Sequence, residues 1–459
     1  MLPTAPFSVR MTHNQAAKRF RAAVQHAFLT ALFLASPPAA ATAAETPDIL
    51  LVTVDTLRAD RLSGYGYSRP TSPNLDRLMA TGARFTEART VEPLTNPALT
   101  SLVTSLYPHE HGATRNGLRM RPELQSLPKV LDERGYRTAA FVSNWTLKDS
   151  ISGLSEHFER YEEVLTKKRW FGFFKGEATA EDVNEAALTW LSETAGRRRP
   201  VFAWVHYTEP HAPYLHQRDQ GKRLGIDGST KENRYDSEIG FVDEKIGDLL
   251  EALPRSRRGT LVVFTSDHGE SLGEHDYWGH GRNLYEPGLH VPLSISWPGV
   301  IDPAKITAPA LLTDIAPTVL GLLGLDIPQS FRGYDWSAVL RHGQAPPEQR
   351  TSLFQAHKGA VLSNQEAGNA RRAGLLEVGI LRDGNKEVLR LTNDRHRLFD
   401  LAEDPGERSN LSEEGIDESE ALRQWRDLVI SGLERTEGLP PADVDPESVE
   451  KLKALGYIN

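Results

Sequence analysis

The 459-residue chain contains no cysteine. Disulfides, thiolate metal sites and a cysteine nucleophile are therefore excluded, and the redox compartment is left open. The chain also lacks an excess of positive charge: its formal net charge is −9 and its isoelectric point is near 6.0. That argues against a nucleic-acid partner, which needs a basic face. Internal repeats and long low-complexity segments are missing. Long apolar runs are missing too, and the most apolar one, residues 27–35 (AFLTALFLA), is too short to span a bilayer comfortably.

That run sits within a segment that reads as an export signal. Arg10, Lys18, Arg19 and Arg21 form a basic n-region, residues 27–35 an apolar h-region, and Ala41, Thr42 and Ala43 a small-residue cleavage site. An uncleaved anchor or a buried N-terminal helix is the alternative. The expectation is a signal peptide over residues 1–44. A soluble exported chain, periplasmic or secreted and without a transmembrane span, would then begin near Ala44 or Glu45. The length suffices for one large domain and a smaller one.

Residues 48–54 (DILLVTV) form a continuous apolar run rich in β-branched residues, the pattern of a buried, central parallel strand. Further strands are expected over residues 83–86, 138–143, 201–207, 260–265 and 290–297. Helices are expected over residues 74–81, 124–135, 179–194, 235–252 and 313–323. This alternation implies an α/β fold with a mostly parallel central sheet and helices on both faces. A polar, Pro-containing stretch at residues 342–350 suggests a boundary. Beyond it, short strands over 375–381, 387–391 and 397–401 are spaced like a small antiparallel sheet, followed by helices over 418–435 and within 446–459. The expected division is a catalytic domain over 45–345 and a C-terminal α+β subdomain over 346–459.

The chemistry gathers around residues 91–112 (VEPLTNPALTSLVTSLYPHEHG). A helix is expected over residues 97–106, with Pro97 at its first position. Thr95 then precedes a helix N-terminus, where free N–H groups and the positive dipole end favour an anion. A hydroxyl there becomes a nucleophile if a metal ion lowers its pKa. Alternatively Thr95 is only the helix cap.

Asp55, His206, His211, Asp267 and His268 all fall just after, or at the end of, expected strands, where open α/β sheets place ligands. Asp55, Asp267 and His268 form a hard oxygen and nitrogen set suited to Ca²⁺, Mn²⁺, Mg²⁺ or Zn²⁺, with the Thr95 oxygen as a further ligand. His211, His280 and His206 could bind oxygens of a tetrahedral oxyanion or protonate a leaving group. Asn116 and Arg115 could donate hydrogen bonds to it.

These residues resemble the sulfatase branch of the alkaline phosphatase superfamily, over nearly the whole chain beyond the signal segment. The resemblance rests on ILLVTVDTLRADRLSGYGYSRPTSPNLDRL, PLTNPALTSLVTSLYPHEHG, HYTEPHAPY, YDSEIGFVDEKIG, TSDHGESLGEH, NLYEPGLHVPL, DIAPTVLGLLG and RLFDLAEDPGERSNL. It implies a large α/β domain with a mostly parallel sheet and a smaller C-terminal subdomain. It also implies metal ligation by Asp55, Asp267 and His268, a nucleophile at Thr95, and substrate contacts from Asn116, His211 and His280.

The departures from that family are informative. Its nucleophile motif is Cys or Ser, any residue, Pro, Ser or Ala, Arg; here it reads Thr95, Asn96, Pro97, Ala98, Leu99. Sulfatases oxidise the Cys or Ser to formylglycine, and Thr cannot yield that aldehyde because its Cβ carries a methyl group. No formylglycine is therefore expected. Thr56 stands where many sulfatases have a second Asp, and the family's Lys–His pair is absent near residues 143–145. A Thr nucleophile occurs in phosphoryl-transfer relatives such as phosphodiesterases and phosphonate hydrolases.

The expected activity is metal-dependent hydrolysis of a phosphate or phosphonate ester, with sulfate ester as the alternative, on a small-molecule, glycan or lipid substrate. A phospho-alcohol transferase acting on envelope glycans or lipids is a second reading, and a non-catalytic binding protein a third. The substrate's organic part is expected to meet loops 165–175, with Trp170, Phe171, Phe173 and Phe174, and 215–234.

Overall fold

Strand β1 (Asp48–Val54) is buried along nearly its whole length. Its alternation sends Ile49 and Leu51 into one apolar cluster and Leu50, Val52 and Val54 into another. A run apolar at every position suits such a strand, because helices cover both faces of the sheet. The computed structural model describes residues 46–166, 176–196, 198–254, 258–360, 374–412 and 418–436. The expected signal segment, residues 167–175 with their four aromatics, and the helix expected within 446–459 lie outside the described residues.

The central sheet has eight strands. In chain order these are β1, β2 (Ala83–Phe85), β3 (Arg137–Val142), β4 (Arg160–Glu163), β5 (Val201–Tyr207), β6 (Thr260–Ser266), β7 (Leu293–Ser296) and β8 (Ala304–Ile306). Their spatial order is β8-β2-β7-β6-β1-β5-β3-β4. β1 runs parallel to both β5 and β6, and β3 runs parallel to β4 and β5. Only β7 runs against its neighbours β2 and β6, so the sheet is mostly parallel as expected. The composition did not reveal β4 and β8. Both are short edge strands without an apolar run, and β4 reads RYEE.

Helices α1 (Pro73–Met79), α2 (Thr95–Thr104), α3 (Leu127–Glu133), α4 (Ala180–Thr194), α5 (Lys231–Ala252) and α6 (Ile315–Leu322) pack on the sheet. α5 begins four residues before the expected start. Its first turn, Lys-Glu-Asn-Arg, carries no apolar periodicity, yet Thr230 caps it by accepting from the Asn233 N–H at 3.1 Å. α2 also begins earlier than expected, at Thr95 rather than Pro97. The first turn of a helix leaves its N–H groups unpaired, so Pro97 at the third position removes no intrahelical bond.

A second, antiparallel sheet runs β9 (Ser352–His357), β10 (Leu375–Arg382), β11 (Asn385–Arg390) and β12 (Arg395–Asp400), backed by α7 (Glu420–Thr436). β9 was not anticipated. The apolar core of this sheet also takes in Val91, Leu284 and Leu289 from the larger part of the chain. An ion pair crosses the same junction: buried Lys386 Nζ lies 2.9 Å from Glu286, and 2.8 Å from Glu407 on its own side. The segment over 342–350 is pinned where Arg350 pairs with Asp314. No described helix is long and apolar enough to cross a membrane.

Candidate active site

The parallel register sets the site. Val54 pairs with both Tyr207 and Ser266, so the chain leaves β1, β5 and β6 at the same level. Asp55, Thr208 and Asp267 are the first residues past those ends. Asp55 Oδ2 accepts from Asn144 Nδ2, just beyond β3. Asp267 Oδ1 accepts from the backbone N–H groups of Thr56 at 3.1 Å and His268 at 2.7 Å. Thr56 takes up a left-handed conformation (φ 56°), costly for a β-branched residue, and from it supplies that N–H. Asp267 Oδ2 is buried with no hydrogen-bond partner. Gly269 is required beside it, because a Cβ there would meet the Pro287 carbonyl oxygen at 2.0 Å.

His268 is fully buried. Its Nδ1–H donates to the Gly269 carbonyl at 2.9 Å. Its Nε2 then carries the lone pair, 3.4 Å from Asp267 Oδ2 and 3.8 Å from Asp55 Oδ1. Burial lowers its pKa to about 4, so the ring is neutral near pH 7. The same Nε2 lies 3.3 Å from Thr95 Oγ1. Thr95 occupies the first turn of α2, behind Leu94, which provides no side-chain cap. The hydroxyl thus faces the carboxylate and imidazole cluster and does not serve as the helix cap.

His206 joins this group from below. Its Nδ1 lies 2.8 Å from Thr53 Oγ1, its partner across the β1–β5 ladder, and its Nε2 is buried with no hydrogen-bond partner. Burial drives its pKa to about 3. One ligand atom each from Asp55, His206 and Asp267 lies within 4.8 Å of the others. Buried polar atoms left without partners are costly unless something completes them. A divalent cation fits this donor set. Asp55, Asp267, His206 and His268 would hold it, with Thr95 Oγ1 alongside.

His280 and His211 extend the row of imidazoles. The His280 ring centroid lies 4.5 Å from that of His268 and 5.2 Å from that of His211. His280 Nδ1 meets Glu270 Oε1 at 3.1 Å. His211 Nδ1 meets the Ala212 carbonyl at 2.6 Å. Asn116 Oδ1 accepts from the Asn96 N–H at 3.1 Å, while its buried Nδ2 has no partner. Arg115, its sequence neighbour, turns elsewhere. Its Nε and Nη2 donate to the carbonyls of Lys358, Gly359 and Ala360, just past β9. The structure therefore gathers Asp55, Thr95, His206, Asp267, His268, His280 and His211, while Arg115 engages the C-terminal strap.

Two contributors were missed. Asn144 has the same signal as Asp55 and Asp267, a polar residue just past a buried strand. Glu270 lies two residues beyond His268 and holds His280. A cleft of about 470 Å³ opens beside His211 and His280, with Lys231, Trp278 and Arg282 on its walls. The expected 215–234 segment contributes Lys231 and Arg234 to it.

The sequence profile of the family described as Sulfatase matches residues 47–325. The chain belongs to the sulfatase family. Within the alkaline phosphatase superfamily, this makes it a sulfuric or phosphoric ester hydrolase. A second profile, N-sulphoglucosamine sulphohydrolase, C-terminal, matches residues 273–427. The ulvan-active sulfatase of Formosa agariphila is 26% identical, over 84% of this chain and 80% of that protein. The choline-sulfatase of Rhizobium meliloti is 25% identical, over 83% of this chain and 86% of that protein. The phosphonate monoester hydrolase of Silicibacter pomeroyi shares the fold at a TM-score of 0.64 and 22% identity, covering 85% of this chain and 96% of that one. In this sulfatase-family chain Leu99, one turn along α2 from Thr95, is wholly buried in the apolar core.

Proposed function

We propose that this sulfatase-family protein is an exported, metal-dependent hydrolase that cleaves phosphate or phosphonate esters through Thr95, with sulfate esters as the alternative. The observation that carries the reading is the position of Thr95 Oγ1, at the first turn of α2 and 3.3 Å from His268 Nε2, beside two buried carboxylates. When bound, a divalent cation supplies positive charge for the hydroxyl and for the ester oxygens.

The remaining steps belong to the chain's own groups. Thr95 Oγ1, having released its proton to solvent, forms a bond to phosphorus as the bond from phosphorus to the alcohol oxygen breaks. His211 or His280 gives the departing oxygen a proton, with Glu270 fixing the His280 ring. The buried Asn116 Nδ2 donates to an ester oxygen. Water then attacks the phosphothreonine, returning Thr95 and releasing phosphate or phosphonate. Thr95 has no second proton-bearing oxygen on Cβ, so the elimination that frees sulfate from a formylglycine hydrate is closed to it. This is why phosphorus esters are preferred.

Lys231, Arg234 and Arg282 give the cleft a positive field and Trp278 an apolar platform, which suits an anionic or sugar-bearing ester. The named sulfatase relatives act on ulvan and choline sulfate, and a glycan or small-molecule ester is accordingly the proposed substrate class. The test is turnover of aryl phosphate, phosphodiester, phosphonate and sulfate esters by metal-stripped and reloaded protein. Metal-dependent release from a phosphorus ester is expected. Turnover of sulfate alone overturns the preference, and no turnover with any ester supports the transferase or the binding-protein reading instead.

A further inference from the structure

The observation that sulfatase-like chemistry leaves unused is the buried, partnerless Nε2 of His206. His206 is held from behind. Its Nδ1 is 2.8 Å from Thr53 Oγ1, and that oxygen also accepts the Trp204 Nε1–H at 2.8 Å. The Trp204 donor anchors the Thr53 hydroxyl, and that hydroxyl engages Nδ1 on the side of the His206 ring opposite Nε2. With Nδ1 so engaged, Nε2 is the ring nitrogen left without a partner, in a residue that brings a ligand atom within 4.8 Å of those of Asp55 and Asp267. His268 repeats the arrangement, with Nδ1–H on the Gly269 carbonyl and Nε2 directed at Asp267. Both rings are buried, and each places a ligand nitrogen beside the same two carboxylates.

We propose that His206 is itself a ligand of the metal. The set of two imidazole nitrogens and two carboxylate oxygens then selects Zn²⁺, or another first-row transition ion, over Ca²⁺ and Mg²⁺. Calcium takes six to eight oxygens and magnesium keeps an octahedron of oxygens and waters, whereas imidazole raises affinity along the transition series toward zinc. The buried floor of the site offers two neutral nitrogens where those ions call for oxygen. Trp204 and Thr53 act as positioning residues for the His206 ring. The inference rests on the metal-dependent reading above, and it adds the identity of one ligand and the class of ion.

The test uses full-length protein stripped of metal. Zn²⁺, Mn²⁺, Ca²⁺ and Mg²⁺ are titrated in turn by calorimetry, and Mn²⁺-loaded protein is examined by pulsed EPR for nitrogen couplings. The wild type is expected to bind Zn²⁺ at least ~100-fold more tightly than Ca²⁺ and to show two imidazole couplings. His206→Gln, checked for unchanged circular dichroism, is expected to lose one coupling and to weaken Zn²⁺ binding by about 10–100-fold. Thr53→Val, which removes only the supporting hydroxyl, should weaken it less and keep both couplings. A single nitrogen coupling in the wild type overturns the inference while leaving a metal site intact, as does Ca²⁺ binding as tight as Zn²⁺. Failure of the wild type to bind any of the four ions overturns the metal-dependent reading as well.

Discussion

Asn144 Nδ2 donates to Asp55 Oδ2, and this contact decides which oxygen of Asp55 turns toward His268, whose Nε2 is 3.8 Å from Oδ1. Asn144 is held in turn by donors to its Oδ1, the N–H and hydroxyl of Thr146, both at 2.7 Å. Asn144→Ala should therefore leave the fold intact and weaken metal binding by about 10–100-fold, as loss of an outer partner typically does. Calorimetric titration of the stripped variant reads this directly. Unchanged affinity would mean that Asp55 needs no such support.

The stability of the protein should fall with acidification. Burial drives the pKa of His157 down to about 4, against about 6.5 in an unfolded chain. Between those values the unfolded state binds a proton that the native state does not. Stability is therefore fully present above pH 6.5 and declines as the pH falls toward about 4, at about 1.4 kcal/mol per pH unit for this one group. Urea unfolding at a series of pH values should show a slope about one proton smaller in His157→Gln than in the wild type. An unaltered slope would place the acid sensitivity elsewhere.

Lys386 is wholly buried between Glu286 and Glu407, and Arg89 Nε reaches Glu286 at 2.9 Å from the other side. Removing the ammonium strands the buried Glu407 carboxylate and leaves Glu286 to Arg89 alone. Lys386→Ala should cost about 3–5 kcal/mol in denaturant unfolding. The double variant Lys386→Met with Glu407→Gln should recover part of that loss. A Lys386→Ala protein as stable as the wild type would show that water reaches the junction.

Lys231 Nζ sits 4.4 Å from the centre of the half-exposed Trp278 ring at the mouth of the cleft. Lys231→Ala combined with Arg282→Ala should raise KM by about tenfold for esters bearing a further negative group. It should leave kcat within about twofold, because binding alone is affected. Steady-state kinetics with neutral and anionic leaving groups separate the cases. An equal effect on both would remove the electrostatic role.

The sequence revealed the rim of the site because its markers are local. β1, β5 and β6 are apolar runs, and Asp55, His206 and Asp267 lie at or just past their ends. What it hid depends on side-chain direction and distant packing. His206 reads as a substrate contact in the sequence; what the sequence does not show is its register opposite Thr53, which brings a ligand atom of it within 4.8 Å of those of Asp55 and Asp267. Arg115 and Asn116 are neighbours in the chain, yet one holds the carbonyls after β9 and the other faces Asn96. β9 escaped notice because its partner β10 lies beyond an intervening segment, and only that pairing makes it a strand.

The most direct test of the central claim is to stop the reaction with acid during steady turnover of a phosphorus ester and map the peptide masses. The account predicts one phosphoryl or phosphonyl group on the peptide bearing Thr95, absent in Thr95→Ala, whose turnover should fall by at least ~10³-fold. A modification on another residue, or full activity in Thr95→Ala, would contradict it.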